Sequence, residues 1–124
     1  MSLLPARKGK RNEKRIETWL RRQGLRTVER NYHCRQGEID LVMREADGTL
    51  VFIEVRYRDN RSRGGALASV DQHKQRRLIN AARHYLASHP GAATGSCRFD
   101  VVAVEPEGDN HDGIEWITNA FLAE

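Results

Sequence analysis

Apolar positions recur along this chain with two different periods. From Asn12 to Gln23 they fall at Ile16, Trp19 and Leu20, the three-and-four spacing that puts side chains on one face of a helix. Asn12 suits an N-cap and Gly24 suits the residue just past a helix end. A first helix is expected there. Residues 1–11, with Arg7, Lys8, Lys10 and Arg11 around Gly9, read as a flexible basic tail. Glu13 lies three before Ile16 and seven before Leu20, so it shares the apolar stripe. Two roles stay open for it: a favourable charge at the positive helix end, or a group that reaches a site.

After Gly24 the period shortens to that of strands. Leu25–Cys34, Glu38–Arg44 and Thr49–Tyr57 have the β-branched and aromatic content of three strands, with a turn at Gln36-Gly37. Ala46-Asp47-Gly48 fits a three-residue hairpin loop with Gly48 in the left-handed position. That loop fixes a register in which Glu45 faces Thr49 and, counting back, Asp40 faces Glu54. Cross-strand partners project from one side of a sheet, and Glu54 and Arg56, two apart, share that side. Asp40, Glu54 and Arg56 are thus expected as a cluster on one face; a one-residue slip would separate them. By alternation Glu38 joins Asp40's side, either beside the cluster or paired with an arginine of a nearby loop.

Ser69-Val70-Asp71-Gln72 reads as a capping box, with Ser69 at the N-cap of a second helix running to about Ser88. Its buried stripe is Leu78, Ala81, Ala82, Tyr85 and Leu86, with Lys74 at the edge. His89-Pro90-Gly91 ends it. Arg98–Val104 is a mostly apolar, interior strand. Ile114–Ile117 is a short last strand and Asn119–Leu122 a terminal turn. The order predicts one α/β domain over residues 12–124, with a mixed sheet flanked by helices.

Composition narrows the class. The chain has 124 residues, 39% hydrophobic and 31% charged, which is the make-up of a globular domain. It has no apolar run of transmembrane length and no signal-peptide core at its start, so a cytoplasmic protein without a membrane partner is expected. Cys34 and Cys97 lack metal-type spacing and read as reduced thiols. The net charge of +4 is unevenly spread: residues 1–63 balance at +7 and residues 64–124 at −3. A basic half suggests a polyanion partner such as nucleic acid; an ordinary solvated surface is the alternative.

Two carboxylates facing each other on adjacent strands repel, and a hard cation such as Mg²⁺ or Mn²⁺ between them removes the conflict. A metal held by two acids, with a side-chain cation two residues past the second, suits phosphodiester hydrolysis. The alternative is a wet sheet face with surface ion pairs of little energetic weight. His33, His73, His84, His89 and His111 show no ligand spacing.

The pattern Asp40, then Glu54-Val55-Arg56, resembles the PD-(D/E)xK nuclease superfamily. A wider set of segments resembles the YraN family: Gly37-Glu38-Ile39-Asp40-Leu41-Val42, Val51–Arg58, Gly64-Gly65-Ala66, Ser69-Val70, Lys74-Gln75, Cys97–Val102 and Ile114–Phe121. Asp100 belongs to this resemblance without a derived role. Members of that family are regarded as predicted endonucleases of bacterial cytoplasm, distantly related to archaeal Holliday-junction resolvases. The resemblance implies a restriction-endonuclease-like α-β-β-β-α-β core. It implies Mg²⁺ or Mn²⁺ held by Asp40 and Glu54, with the Val55 carbonyl as a third ligand and Glu13 reaching the metal from the first helix. Arg56 stands where the superfamily usually has lysine; it can stabilise phosphate but cannot act as a base. Glu38 and Lys74 fall in the outer shell, and Arg58, Arg61 and Arg63 are placed to hold phosphates. Resolvase-like relatives also imply a homodimer. The leading expectation is a Mg²⁺-dependent nuclease acting on structured DNA. The alternatives are a non-catalytic nucleic-acid-binding module on the same fold, and a domain whose basic face binds an acidic protein.

Overall fold

The computed structural model describes residues 4–57, 70–92, 95–104 and 113–123, with side chains from residue 13 onward. The elements are α1 (Leu4–Arg22), β1 (Arg26–Cys34), β2 (Gly37–Arg44), β3 (Leu50–Tyr57), α2 (Gln72–Ser88), β4 (Cys97–Val104) and β5 (Ile114–Phe121). The strands form one sheet in the order β1-β2-β3-β4-β5. β3 and β4 run parallel and all other neighbours antiparallel. A parallel pair needs a crossover, and α2 lies within it. The α-β-β-β-α-β-β order, with a mixed sheet between two helices, is the arrangement of a restriction-endonuclease-like core.

Each helix covers one face. Ile16 and Leu20 of α1 pack on Leu41, Met43, Val51, Ile53, Val102 and Val104. Leu78, Ala81, Ala82 and Tyr85 of α2 pack on Val42, Leu50, Phe52 and Phe99. Alternation along β3 and β4 explains the split, since both strands are buried on both sides. Among the described residues no helix is long and apolar enough to cross a membrane.

The β2–β3 register is the one the loop length predicts. Glu45 N–H donates to Thr49 O at 2.9 Å, and Leu41, Val42, Met43 and Arg44 face Ile53, Phe52, Val51 and Leu50. Gly48 takes φ 95°, the left-handed position that only glycine adopts without strain.

Three boundaries differ from expectation. α1 starts at Leu4, so most of the stretch read as a tail is helical. Arginine and lysine are good helix formers, and Pro5 sits in the first turn, where a missing N–H is tolerated. The N-cap of α2 is Asp71, whose carboxylate accepts from Lys74 N–H at 2.9 Å. Asp71 displaces Ser69, which lies outside the described residues, and leaves Val70 free to pack on Val101 and Ala103. β5 continues through the expected terminal turn to Phe121. Asn119 takes φ 54° and its N–H donates to the buried Asp100 carboxylate at 2.8 Å, so the strand bends without ending.

Candidate active site

The site forms where β2 and β3 separate. Hydrogen-bonded pairs in an antiparallel ladder recur every second residue. Counting from Glu45/Thr49, the Val55 N–H would next be served by the Ile39 carbonyl. The ladder stops at Leu41/Ile53, and Val55 N–H instead donates to Asp40 Oδ2 at 2.7 Å. A side-chain carboxylate thus replaces a main-chain acceptor at the opening of the sheet.

β1 and β2 change sides at the same place. Ile39 belongs to the α2-side core and Leu41 to the α1-side core, although they are two residues apart. In β1, Tyr32 packs on the α2 side while Arg30 lines the α1-side cavity. Between them Asn31 takes φ 51°, a left-handed conformation that asparagine tolerates better than most residues. Simple alternation therefore fails at Asn31 and Asp40. Asp40 does not share a face with Glu54 as a ladder partner; it lies at the seam between the faces.

Asp40 and Glu54 still meet, and their side chains are hydrogen-bonded. Burial first, then the hydrogen bond and charge of Asp40 and the charge of Glu38, push the Glu54 carboxyl up to about 9, against the opposing effect of Arg56. The pair is thus one in which the protonated form of Glu54 is favoured well above the usual carboxylate range.

Two concave surfaces adjoin this pair. On the α2 side a cleft of about 270 Å³ is lined by Glu38, Glu54, Arg56, His73, Lys74 and Arg77. It brings together four of the residues singled out from sequence. Glu38 Oε2 lies 3.3 Å from His33 Nδ1, its partner across the β1–β2 pair, so its neighbour is a histidine of the next strand. The close seat of α2 depends on Gly37, where a Cβ would lie 2.2 Å from the Arg77 carbonyl oxygen. On the α1 side a cavity of about 490 Å³ is lined by Glu13, Lys14, Glu17, Arg30, Asn31 and Asp40. Glu13 and Asp40 therefore share a surface, while Glu54 and Arg56 line the opposite one. Arg58, Arg61 and Arg63 lie outside the described residues.

Glu17 and Arg30 carry no assignment from sequence alone. Glu17 is 6% exposed, yet it accepts from Thr27 Oγ1 at 2.5 Å and from Arg30 Nε at 2.8 Å, with Arg30 Nη2 at 2.7 Å from its other oxygen. Burial raises its pKa, and the hydrogen bonds from Arg30 and Thr27 with the charges of Arg30 and Arg21 outweigh that, so the net shift is downward. The available signal was an acid one helical turn after Glu13 and next to Ile16.

Asp100 is fully buried on β4, level with Ile53 of β3 and so one residue from the row of Glu54. It accepts from Arg98 Nε at 3.0 Å, Trp116 Nε1 at 2.9 Å and Asn119 N–H, and Arg98 also reaches Glu45 at 2.9 Å. These bonds tie β4, β5 and the β2–β3 hairpin, which gives Asp100 a structural role.

Among the described residues no group of three His, Cys, Asp or Glu side chains converges as a ready metal cluster. Mg²⁺ does not require one, since it is commonly bound by one or two carboxylates with water and substrate phosphate completing its shell. Two carboxyl groups close enough to share a hydrogen bond, beside the exposed end of a strand, fit that donor set.

Residues 12–104 match the model of an uncharacterised protein family, UPF0102. A UPF0102 protein of Alcanivorax borkumensis is 57% identical over the whole length of both chains. UPF0102 proteins of Cupriavidus taiwanensis and Aeromonas hydrophila are 56% and 53% identical, over 94% and 92% of this chain and 84% of each relative.

Proposed function

The chain belongs to the UPF0102 family, the YraN family that its motifs resemble, and from that premise we propose a divalent-metal-dependent nuclease that hydrolyses phosphodiester bonds of DNA, structured DNA in particular. The observation that carries this reading is the Asp40–Glu54 pair: two carboxyl groups from adjacent strands in hydrogen-bond contact, with Asp40 held by the Val55 N–H where the strands part. Two carboxylates that close repel, and a divalent cation between them removes that repulsion as a shared proton does.

Asp40 and Glu54 would hold Mg²⁺ or Mn²⁺, with the Val55 carbonyl next to them. When bound, such an ion supplies a more acidic water and positive charge opposite the phosphate. The chain's own groups do the rest. The Val55 N–H fixes the Asp40 carboxylate in one orientation. Glu54 would hold the ion as the carboxylate, its proton released to solvent. Arg56, always cationic, holds a phosphate oxygen and takes no proton. Lys74 lines the same cleft from the other wall and adds a second cation there. Glu13 lines the adjoining cavity with Asp40 and would be the further acid to support the ion.

Cleavage of labelled DNA in Mn²⁺ or Mg²⁺ tests this. Asp40→Ala and Glu54→Ala should each lower the rate on the order of 100-fold or more, without loss of fold. A wild-type protein that binds DNA equally well with and without metal and never cuts it would leave a binding module instead. That second reading is favoured by one observation, that Arg56 cannot serve as a base.

A further inference from the structure

Beyond Asp40 and Glu13, the walls of the α1-side cavity carry one ion pair, between Arg30 and Glu17, that the metal reading does not use. Arg30 emerges from β1 with its side chain more than half exposed, at 58%, while the Glu17 side chain beneath it is only 8% exposed. An exposed arginine normally samples many rotamers. This one is gripped through Nε and Nη2 by both oxygens of a buried carboxylate, and Thr27 holds that carboxylate from behind. Glu17 engages two of the guanidinium's three nitrogens, and the third, Nη1, is not part of that fork. The left-handed turn at Asn31 puts Arg30 on the α1 side, in the cavity that Asp40 and the exposed Lys14 also line. A fixed guanidinium with donors left over fits a phosphate group.

We propose that Arg30, held by the buried Glu17 carboxylate, is a phosphate-holding cation on the α1 face of the sheet. A nucleic-acid strand then crosses the open end of the sheet, from the α1-side cavity, over Asp40 and Glu54, to the cleft beneath α2. Arg30 holds a phosphate on one side of the pair, and Arg56 with Lys74 faces a phosphate on the other. Glu17 acts through Arg30 and is a positioning residue. This inference rests on the nuclease reading for its ligand, and its test is a binding measurement that needs no cleavage.

The test uses the double variant Glu17→Gln/Arg30→Gln. It removes one charge of each sign, so the net charge of the protein is unchanged, and two amides can still bond each other beneath Thr27. Binding of a fluorescent oligonucleotide is measured in EDTA across a salt series, with Asp40 and Glu54 intact. The double variant should bind about tenfold more weakly at low salt, and its log-affinity against log-salt slope should be shallower by about 0.7 to 0.9. An affinity and slope equal to wild type, with wild-type binding intact, would overturn the inference and leave the nuclease reading standing. Absence of wild-type binding at any salt would overturn both. Should the double variant fold poorly, the Arg30 Nε–H resonance of the wild-type protein supplies the answer. It should shift on titration with the same oligonucleotide, and a resonance that stays in place while others move overturns the proposal.

Discussion

Glu54 and Glu17 are half-buried and buried acids a few residues from the same opening, and their environments drive them in opposite directions. Glu17 has two donors and a cation, so its folded pKa is lowered. Its contribution to stability is present above the ordinary carboxylate range and is lost as pH falls. Glu54 is withdrawn from water and faces Asp40 and Glu38, so its pKa is raised from 4.5 to about 9. The folded state then binds a proton that the unfolded chain has released, and stability falls as pH rises between those values. The loss is up to about 1.4 kcal/mol per pH unit while the two states differ by a whole proton. Glu54→Gln keeps a donor for Asp40 without the titration. Thermal melts of wild type in EDTA should decline from pH 5 towards pH 9, and those of Glu54→Gln should be much flatter; matching declines would remove Glu54 as the cause. At this scale the sequence made Asp40 and Glu54 legible as neighbours, because the loop count depends only on residue number. It could not show that Asp40 sits between the faces. That depends on the left-handed φ of Asn31, which leaves no trace in the spacing of apolar residues. Glu17 stayed hidden because a buried acid on an apolar stripe resembles any other helical glutamate until its partners are seen.

At the scale of elements, the strand positions and the hairpin register follow directly from period and turn chemistry. The ends were less legible, because two or more residues could serve as cap or bend and only packing chooses between them. Asp71 and Ser69 are both good N-caps. Asp71 is used, and Val70 is buried as a result, at 2% exposed. Asp71→Ala should therefore lower stability by about 1 kcal/mol, readable as a shift in urea midpoint without a change in slope. Ser69→Ala should have much less effect. If Ser69→Ala is the more damaging of the two, the cap has been misplaced. The basic run at the start of the chain reads as a tail by charge alone, yet its residues are helix formers, and α1 includes them from Leu4.

Across the whole molecule, acids on neighbouring strands carry different loads. On β4, level with Ile53, Asp100 is satisfied by three donors and binds β4 to β5. Across β3, beyond the Leu41–Ile53 pair, β2 and β3 part, and two acids confront each other. Asp100→Ala would strand the Trp116 and Asn119 donors and weaken the hold on Arg98. It should cost about 3 to 5 kcal/mol, and a thermal midpoint within a degree or two of wild type would contradict that role. The spacing between α2 and the sheet, by contrast, is set at Gly37, where main chain meets main chain with no side chain between. The width of the cleft beneath α2 is therefore a property of the backbone. Glu38, Arg56, His73 and Lys74 can be exchanged to retune what the cleft attracts while its jaws stay at the same opening, so recognition and gauge are separately adjustable in this fold.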